Sequence, residues 1–156
     1  MKSCLIFAAA SLILLASCTS HEVSRARLLE YKTDGMLNTY SGYIKRYSVY
    51  VNSVKKGNLW HLYDKSENLN IWARDTTMLK TQYNFPEFSA TMVVTPTGGP
   101  TKLYTASSGR FRMLGLMEAD LTGDFYFWLK NGSDSTYITE GYFRIFLEFA
   151  DTTLTK

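Results

Sequence analysis

Asp124-Phe125-Tyr126-Phe127-Trp128-Leu129-Lys130, then Asn131-Gly132-Ser133-Asp134, then Tyr142-Phe143-Arg144-Ile145-Phe146-Leu147-Glu148-Phe149: these three stretches carry the fold. The first is apolar at consecutive positions over a strand's length, as expected of a strand buried on both faces. The second joins Asn-Gly to Ser-Asp, a turn of strong hairpin chemistry. The third alternates. Phe143, Ile145, Leu147 and Phe149 point one way, while Arg144 and Glu148 point the other with Tyr142 and Phe146. A long antiparallel hairpin follows from the three together.

Upstream the same rhythm recurs. Tyr43, Tyr47, Val49 and Val51 keep period 2 over residues 42–51, with Lys45 interrupting on the same parity. Lys55-Lys56-Gly57-Asn58 reads as a turn, residues 59–63 as a strand and residues 64–68 as a loop. Leu69-Asn70-Ile71-Trp72-Ala73 alternates again. Residues 79–85 form a weaker strand broken at Pro86, and residues 88–94 resume. Thr95-Pro96-Thr97-Gly98-Gly99-Pro100 is the clearest turn, because Gly and Pro set dihedrals that a strand does not use. Ser108-Gly109 separates two further strands, and residues 118–124 read as a loop. About eight short strands at this spacing make an all-β domain, either a single antiparallel β-barrel or a β-sandwich. No helix-period stretch is long enough for a βαβ crossover.

The N-terminus is different in kind. Lys2 precedes the apolar stretch Ile6-Phe7-Ala8-Ala9-Ala10-Ser11-Leu12-Ile13-Leu14-Leu15, and Leu15-Ala16-Ser17-Cys18 closes it. A basic start, an apolar core of about 7–15 residues and small residues at its end make a signal peptide. The run is short of the roughly 20 residues of a membrane-spanning helix. Small residues placed directly before a cysteine resemble the lipobox of bacterial lipoprotein signal peptides. That resemblance implies cleavage before Cys18 and acylation of its thiol. It also accounts for the cysteines. The chain has two, Cys4 and Cys18, so the mature protein keeps one and forms no internal disulfide. Residues 1–17 are then the cleaved signal, 18–39 a lipidated tether and lead-in, 40–151 the β domain and 152–156 a polar tail. Within the lead-in, residues 23–30 read as a short helix with Leu28 and Leu29 as its apolar pair. Thr19-Ser20-His21-Glu22 lacks an aspartate directly after the cysteine, which implies the outer membrane; whether the domain faces the periplasm or the outside stays open.

Charge narrows the partners. The net charge is +3, one unit lower once Lys2 is removed, and the basic residues are scattered pairs. Nucleic acid, which requires a clustered basic face, is excluded. The sequence sets no oligomeric state.

The catalytic inventory is thin. Two histidines are present, His21 and His61, and His61 stands alone in a strand. No zinc spacing, phosphate loop or other cofactor motif appears, so no cofactor or metal is expected. Glu118, Asp120 and Asp124 form the one carboxylate cluster, the residue type a glycoside hydrolase would use. Turn-forming Asp and Gly in a solvated loop explain them as well, and the chain is read as non-enzymatic. Aromatic residues offer more. Trp60, Trp72, Tyr104 and Trp128 could line an apolar pocket for a lipid-like small molecule. As a flat platform, the same residue types would suit a glycan or a protein partner, although core packing accounts for most buried aromatic rings.

Asn70-Ile71-Trp72-Ala73-Arg74-Asp75 and the closing run 142–149 resemble elements of small Bacteroidota lipoproteins classed as lipid-binding and lipocalin-like. The resemblance covers residues 40–151 by pattern. It implies a lipid-binding barrel anchored to the outer membrane. The Gly-Asn-Phe-Trp run of that group is replaced here by Gly57-Asn58-Leu59-Trp60. Asp75-Thr76-Thr77, Asp134-Ser135-Thr136 and Asp151-Thr152-Thr153 also resemble the O-glycosylation sequence of exported Bacteroidota proteins, which implies Ser135 and Thr152 as acceptors.

Overall fold

The computed structural model describes residues 27–75, 81–117, 120–146 and 152–155. The lipobox with Cys18, His21, Thr76, Glu118 and residues 147–149 lie outside them. Among the described residues every regular element is a strand: β1 (Arg27–Thr33), β2 (Met36–Val51), β3 (Val54–Asp64), β4 (Leu69–Asp75), β5 (Gln82–Asn84), β6 (Phe88–Val94), β7 (Lys102–Met117), β8 (Asp120–Asn131), β9 (Asp134–Phe146) and β10 (Thr152–Thr155).

The fold is a closed antiparallel barrel of eight strands. β1, β2, β3, β4, β6, β7, β8 and β9 each pair with the next, and β1 closes the circle by pairing with both β2 and β9. The choice between barrel and sandwich is settled by β1. Leu29 and Tyr31 point inward and are buried, while their neighbours pair with Ser41–Met36 on one side and with residues 138–145 on the other. The helix expected over residues 23–30 is therefore corrected: from Arg27 on the chain is strand, and the β domain begins well before residue 40. Period-2 burial at 29 and 31, satisfied by two flanking strands, outweighs the local Leu28-Leu29 pair. The end of the chain is corrected too. Thr152–Thr155 is strand β10, parallel to Tyr47–Tyr50 of β2, not a free tail. It occupies the edge of β2 that β1 leaves uncovered. β5 plays the same part on β7, below β6.

Two stretches read as loops lie inside long strands. Gly109 sits within β7, and Asp120 to Asp124 begin β8. The reason is packing. Gly123 faces Phe143 across the β8–β9 ladder, and Phe125 faces Gly141. A Cβ at Gly123 would lie 2.3 Å from Phe143 Cζ, and one at Gly141 2.4 Å from Phe125 Cδ2. Glycine here makes room for a neighbouring ring rather than ending a strand.

These rings fill the barrel. Phe88, Phe127, Phe125, Tyr31 and Tyr40 form a continuous chain with successive centroids 5.9, 5.4, 6.3 and 5.3 Å apart. Tyr83, Phe111 and Phe143 form a second, at 5.9 and 5.7 Å. Aromatic pairs at this spacing gain about 0.5–1.5 kcal/mol beyond area burial. Inside, Tyr31 and Tyr40 are also hydrogen-bonded, and burial pushes the Tyr31 phenol well above its ordinary range. An eight-stranded barrel is just wide enough for its own side chains or for one small ligand; over these positions the protein's own rings take the space.

The barrel has two distinct ends. Turns 34–35, 65–68, 95–101 and 132–133 gather at one. At the other lie Arg27, where β1 begins, the 52–53 turn between β2 and β3, the last residue of β7 and the first of β8. Asp64 builds one of the turns. It is fully buried and accepts hydrogen bonds from the backbone N–H groups of Ser66, Asn68 and Leu69 at 2.8, 3.0 and 3.0 Å.

Candidate functional site

The strand that reads as buried on both faces is buried on one. On β8, Phe125, Phe127 and Leu129 point into the barrel, whereas Tyr126 and Trp128 point out and are 45% and 51% exposed. Strand alternation places Asp120, Thr122, Asp124, Tyr126, Trp128 and Lys130 in one outward row. The neighbouring strands extend it. Trp128 is opposite Tyr137 of β9, their rings 5.0 Å apart. Tyr126 is opposite Arg110 of β7, whose guanidinium lies 5.0 Å over the phenol ring. Asp124 sits between Arg112 of β7 and Tyr142 of β9.

Three arginines bind the acidic members of this row. Arg112 grips Asp124 with two hydrogen bonds, the Nε one at 2.8 Å, and this carboxylate holds the guanidinium above its ordinary pKa. Arg110 Nη2 lies 3.9 Å from the same carboxylate. Arg144 Nε donates to Asp120 at 2.7 Å. The face is thus four exposed aromatic rings, Tyr126, Trp128, Tyr137 and Tyr142, set among three guanidinium groups that share two carboxylates.

The same geometry bears on the carboxylate cluster. Asp120 and Asp124 are four residues apart on one strand, roughly 13 Å at about 3.3 Å per residue. That exceeds the separation of roughly 5–9.5 Å at which paired carboxylates flank a glycosidic bond. Each is held by an arginine, and Asp120 is buried. Among the described residues no three His, Cys, Asp or Glu side chains gather as metal ligands.

The four aromatic residues singled out from the sequence do not come together. Trp60 is inside, near the Arg27 end, where its Nε1 donates to Asp75 Oδ2 at 2.8 Å. The same carboxylate accepts from the backbone and side-chain nitrogens of Asn58 at 3.1 and 2.9 Å. Tyr104 packs against the core. Trp72 lies on the outer wall across β2–β4, stacked on His61 at 3.6 Å and on Tyr47 at 6.1 Å. Trp128 alone belongs to the exposed face over β7–β9. Tyr126, Tyr137, Tyr142 and the three arginines were missed. The available signal was chemical: along 125–129, rings without a polar tip, or Leu, alternate with Tyr and Trp, which tolerate water at one end.

On the opposite wall, the odd-numbered row of β2 faces outward, so Tyr43 and Tyr47 are not core. Tyr43, Tyr63, His61, Trp72 and Tyr47 stack in sequence across β2–β4. His61 Nε2 and Asn70 Oδ1 are 2.8 Å apart, and Asn70 Nδ2 donates to the Glu67 carbonyl. The amide orientation makes Nε2 the protonated nitrogen of His61. Burial lowers the pKa of this imidazole, partly offset by the bond to Asn70. It is a packed residue fixed by two aromatic neighbours, Tyr63 and Trp72, and an amide.

Of the modification candidates, Ser135 is exposed at the start of β9, directly after the β8–β9 turn. Thr152 opens β10 and is part of the sheet. The chain matches no protein-family model, no curated protein and no solved structure.

Proposed function

We propose that the chain is a bacterial envelope lipoprotein, tethered through Cys18 to the outer membrane, whose barrel acts as a non-enzymatic binding module. Its binding surface is the outer face over β7–β9, and its ligand is a protein partner in the envelope. One observation carries this reading: Tyr126, Trp128, Tyr137 and Tyr142 are all exposed on one wall, interleaved with Arg110, Arg112 and Arg144. Tyr, Trp and Arg are the residues enriched at protein interfaces and at their energetic centres. The wall of a closed barrel is convex, which suits a partner's surface better than an enclosed small molecule. Asp120 and Asp124 are already paired with arginine, so neither carboxylate would be left uncompensated under a partner.

A second reading places an apolar or amphipathic ligand inside the barrel. Closed eight-stranded topology favours it; the ring-filled interior weighs against it, because Phe125, Phe127 or Phe143 would have to move.

Site-specific photo-cross-linking in cells tests the first reading. A photoreactive side chain at position 128 is expected to form one discrete protein adduct, lost with Tyr126→Ala and Tyr137→Ala. The same group at Lys65, in the β3–β4 turn, is expected to form none. No adduct at 128, or a co-purified lipid in the purified barrel by native mass spectrometry, would turn the assignment to the second reading.

A further inference from the structure

The β2–β3 hairpin projects from the end of the barrel at which the chain enters. β1 begins at Arg27, level with Gly42 of β2, because Leu28 pairs with Ser41. β2 continues from there to Val51, nine residues on, and turns back through Asn52 and Ser53. Both turn residues have positive φ, 50° and 63°, the conformation of a tight two-residue hairpin turn. On the return, Asn58 of β3 is level with Asp75, the last residue of β4, so residues 54–57 also pass beyond the neighbouring strand. β10 flanks β2 as far as Tyr50, and Asp75 is level with Ser48, so the tip passes its paired neighbours by about three residues, roughly 10 Å at about 3.3 Å per residue, and lies roughly 30 Å along the strand from the level of Arg27.

The tip is unusual in composition. Residues 51–56 are all exposed, Val51 and Val54 form a cross-strand pair, and Lys55 and Lys56 follow directly. From Gly42 to Leu59 there are four basic residues, Lys45, Arg46, Lys55 and Lys56, and no acidic one. The whole chain nets only +3, so the remainder is on balance negative and the positive charge is concentrated on this hairpin. Paired exposed valines with flanking lysines suit the boundary between acyl chains and anionic headgroups.

From these observations we infer that the β2–β3 tip is the membrane-contacting element of the protein, resting on an anionic phospholipid surface. The inference rests on the tethered reading, because Cys18 is nine residues before Arg27. Nine residues extend at most roughly 30 Å. The tether is thus no longer than the hairpin beside it, and an acylated Cys18 would hold the tip within reach of the bilayer. The opposite end, with turns 34–35, 65–68 and 132–133, faces away, and the aromatic wall over β7–β9 stands to the side, open to a partner.

Lysine footprinting of the purified full-length protein tests this, using an amine-acetylating reagent in detergent, on phosphatidylcholine vesicles, and on phosphatidylcholine–phosphatidylglycerol vesicles. Lys55 and Lys56 are expected to react ~3-fold more slowly on the phosphatidylglycerol vesicles than in detergent, with the rate of Lys65 unchanged. Val51→Asp with Val54→Asp, at exposed positions that leave the barrel intact, is expected to restore the detergent rate. Unchanged rates at Lys55 and Lys56, or slowing at Lys65 instead, overturn the inference. Intact mass reports acylation of Cys18 separately. Should Cys18 prove unacylated, the tethered reading fails, and the same lysine rates with added vesicles still judge the hairpin.

Discussion

Phe125 of β8 lies directly opposite Gly141 of β9, and its ring occupies the space that a side chain at 141 would need. Gly123 and Phe143 repeat the arrangement in the reverse sense two rungs along the same ladder. Each couple lets a large ring lie flat across the neighbouring backbone and join the stack that fills the barrel. A glycine in a strand ordinarily weakens it; here the partner ring returns the lost contact. Gly141→Ala should therefore destabilise by about 1–3 kcal/mol, the cost of overpacking a closed core. Phe125→Ala should cost about 3–5 kcal/mol through cavity formation. Because the two residues share one space, the double variant should be less destabilised than the sum of the singles. Urea denaturation of the four proteins measures this, and strict additivity would refute the shared-space account.

Asp64 makes a different kind of contribution. Its buried carboxylate organises the 65–68 turn through three backbone donors. Asp64→Ala orphans them, and Leu69 N–H is itself buried. At ~1–3 kcal/mol for each donor that cannot reach water, a loss of about 2–4 kcal/mol is expected. Asp64→Asn, which keeps one acceptor oxygen, should fall between. Asp134→Ala breaks only the exposed pair with Lys102 and should change stability by less than about 0.5 kcal/mol. Thermal melts of the three variants give the ranking.

The fold class was legible because alternation and turn chemistry are local properties. Phe143 and Ile145 against Arg144 need no partner to be read as a strand. Closure was not legible, since it depends on Leu29 meeting Phe143, 114 positions further along the chain, and no local pattern reports a contact at that range. The glycines misled for a physical reason: Gly109 and Gly123 resemble turn formers unless the phenylalanine opposite is known. The outward side of β8 was misread because Tyr and Trp count as apolar in a pattern of periods, yet their polar tips let them stand in water. The carboxylates were visible as residues, but their arginine partners lie on other strands.

His61 links the outer wall over β2–β4 to pH. Burial between Tyr63 and Trp72 lowers its pKa below the ordinary 6.5, with Lys45 adding to the depression and Asn70 and Glu67 opposing it. The folded state therefore binds this proton less readily than the unfolded chain. Between the unfolded and folded values the unfolded state holds more protons, so stability rises with pH there. His61 thus favours folding fully above about pH 6.5, and that contribution is lost as pH falls through the folded pKa. His61→Phe keeps the stack and removes the titration. Its stability, measured by urea denaturation from pH 7.5 to 5, should fall less with acid than that of the wild type. Parallel curves would mean that the imidazole titrates with its ordinary pKa.

The three tryptophans separate the packing of this barrel from its recognition. Trp60 is buried and donates to Asp75; Trp60→Ala should cost about 3–5 kcal/mol and leave an acceptor unfilled. Trp72 is half-buried against His61 and Tyr47, so Trp72→Ala should cost about 1–2 kcal/mol, from area and lost stacking. Trp128 is exposed and touches mainly Tyr137. Trp128→Ala should leave stability within about 0.5 kcal/mol of the wild type. If the wall over β7–β9 is the binding surface, that silent substitution should nonetheless weaken partner capture by ~2 kcal/mol, roughly 30-fold, as expected of an aromatic anchor at an interface centre. Denaturation curves and binding isotherms on the same three variants expose the distinction. A Trp128→Ala protein that is both fully stable and fully competent would remove Trp128 from the site and with it the central argument for that wall.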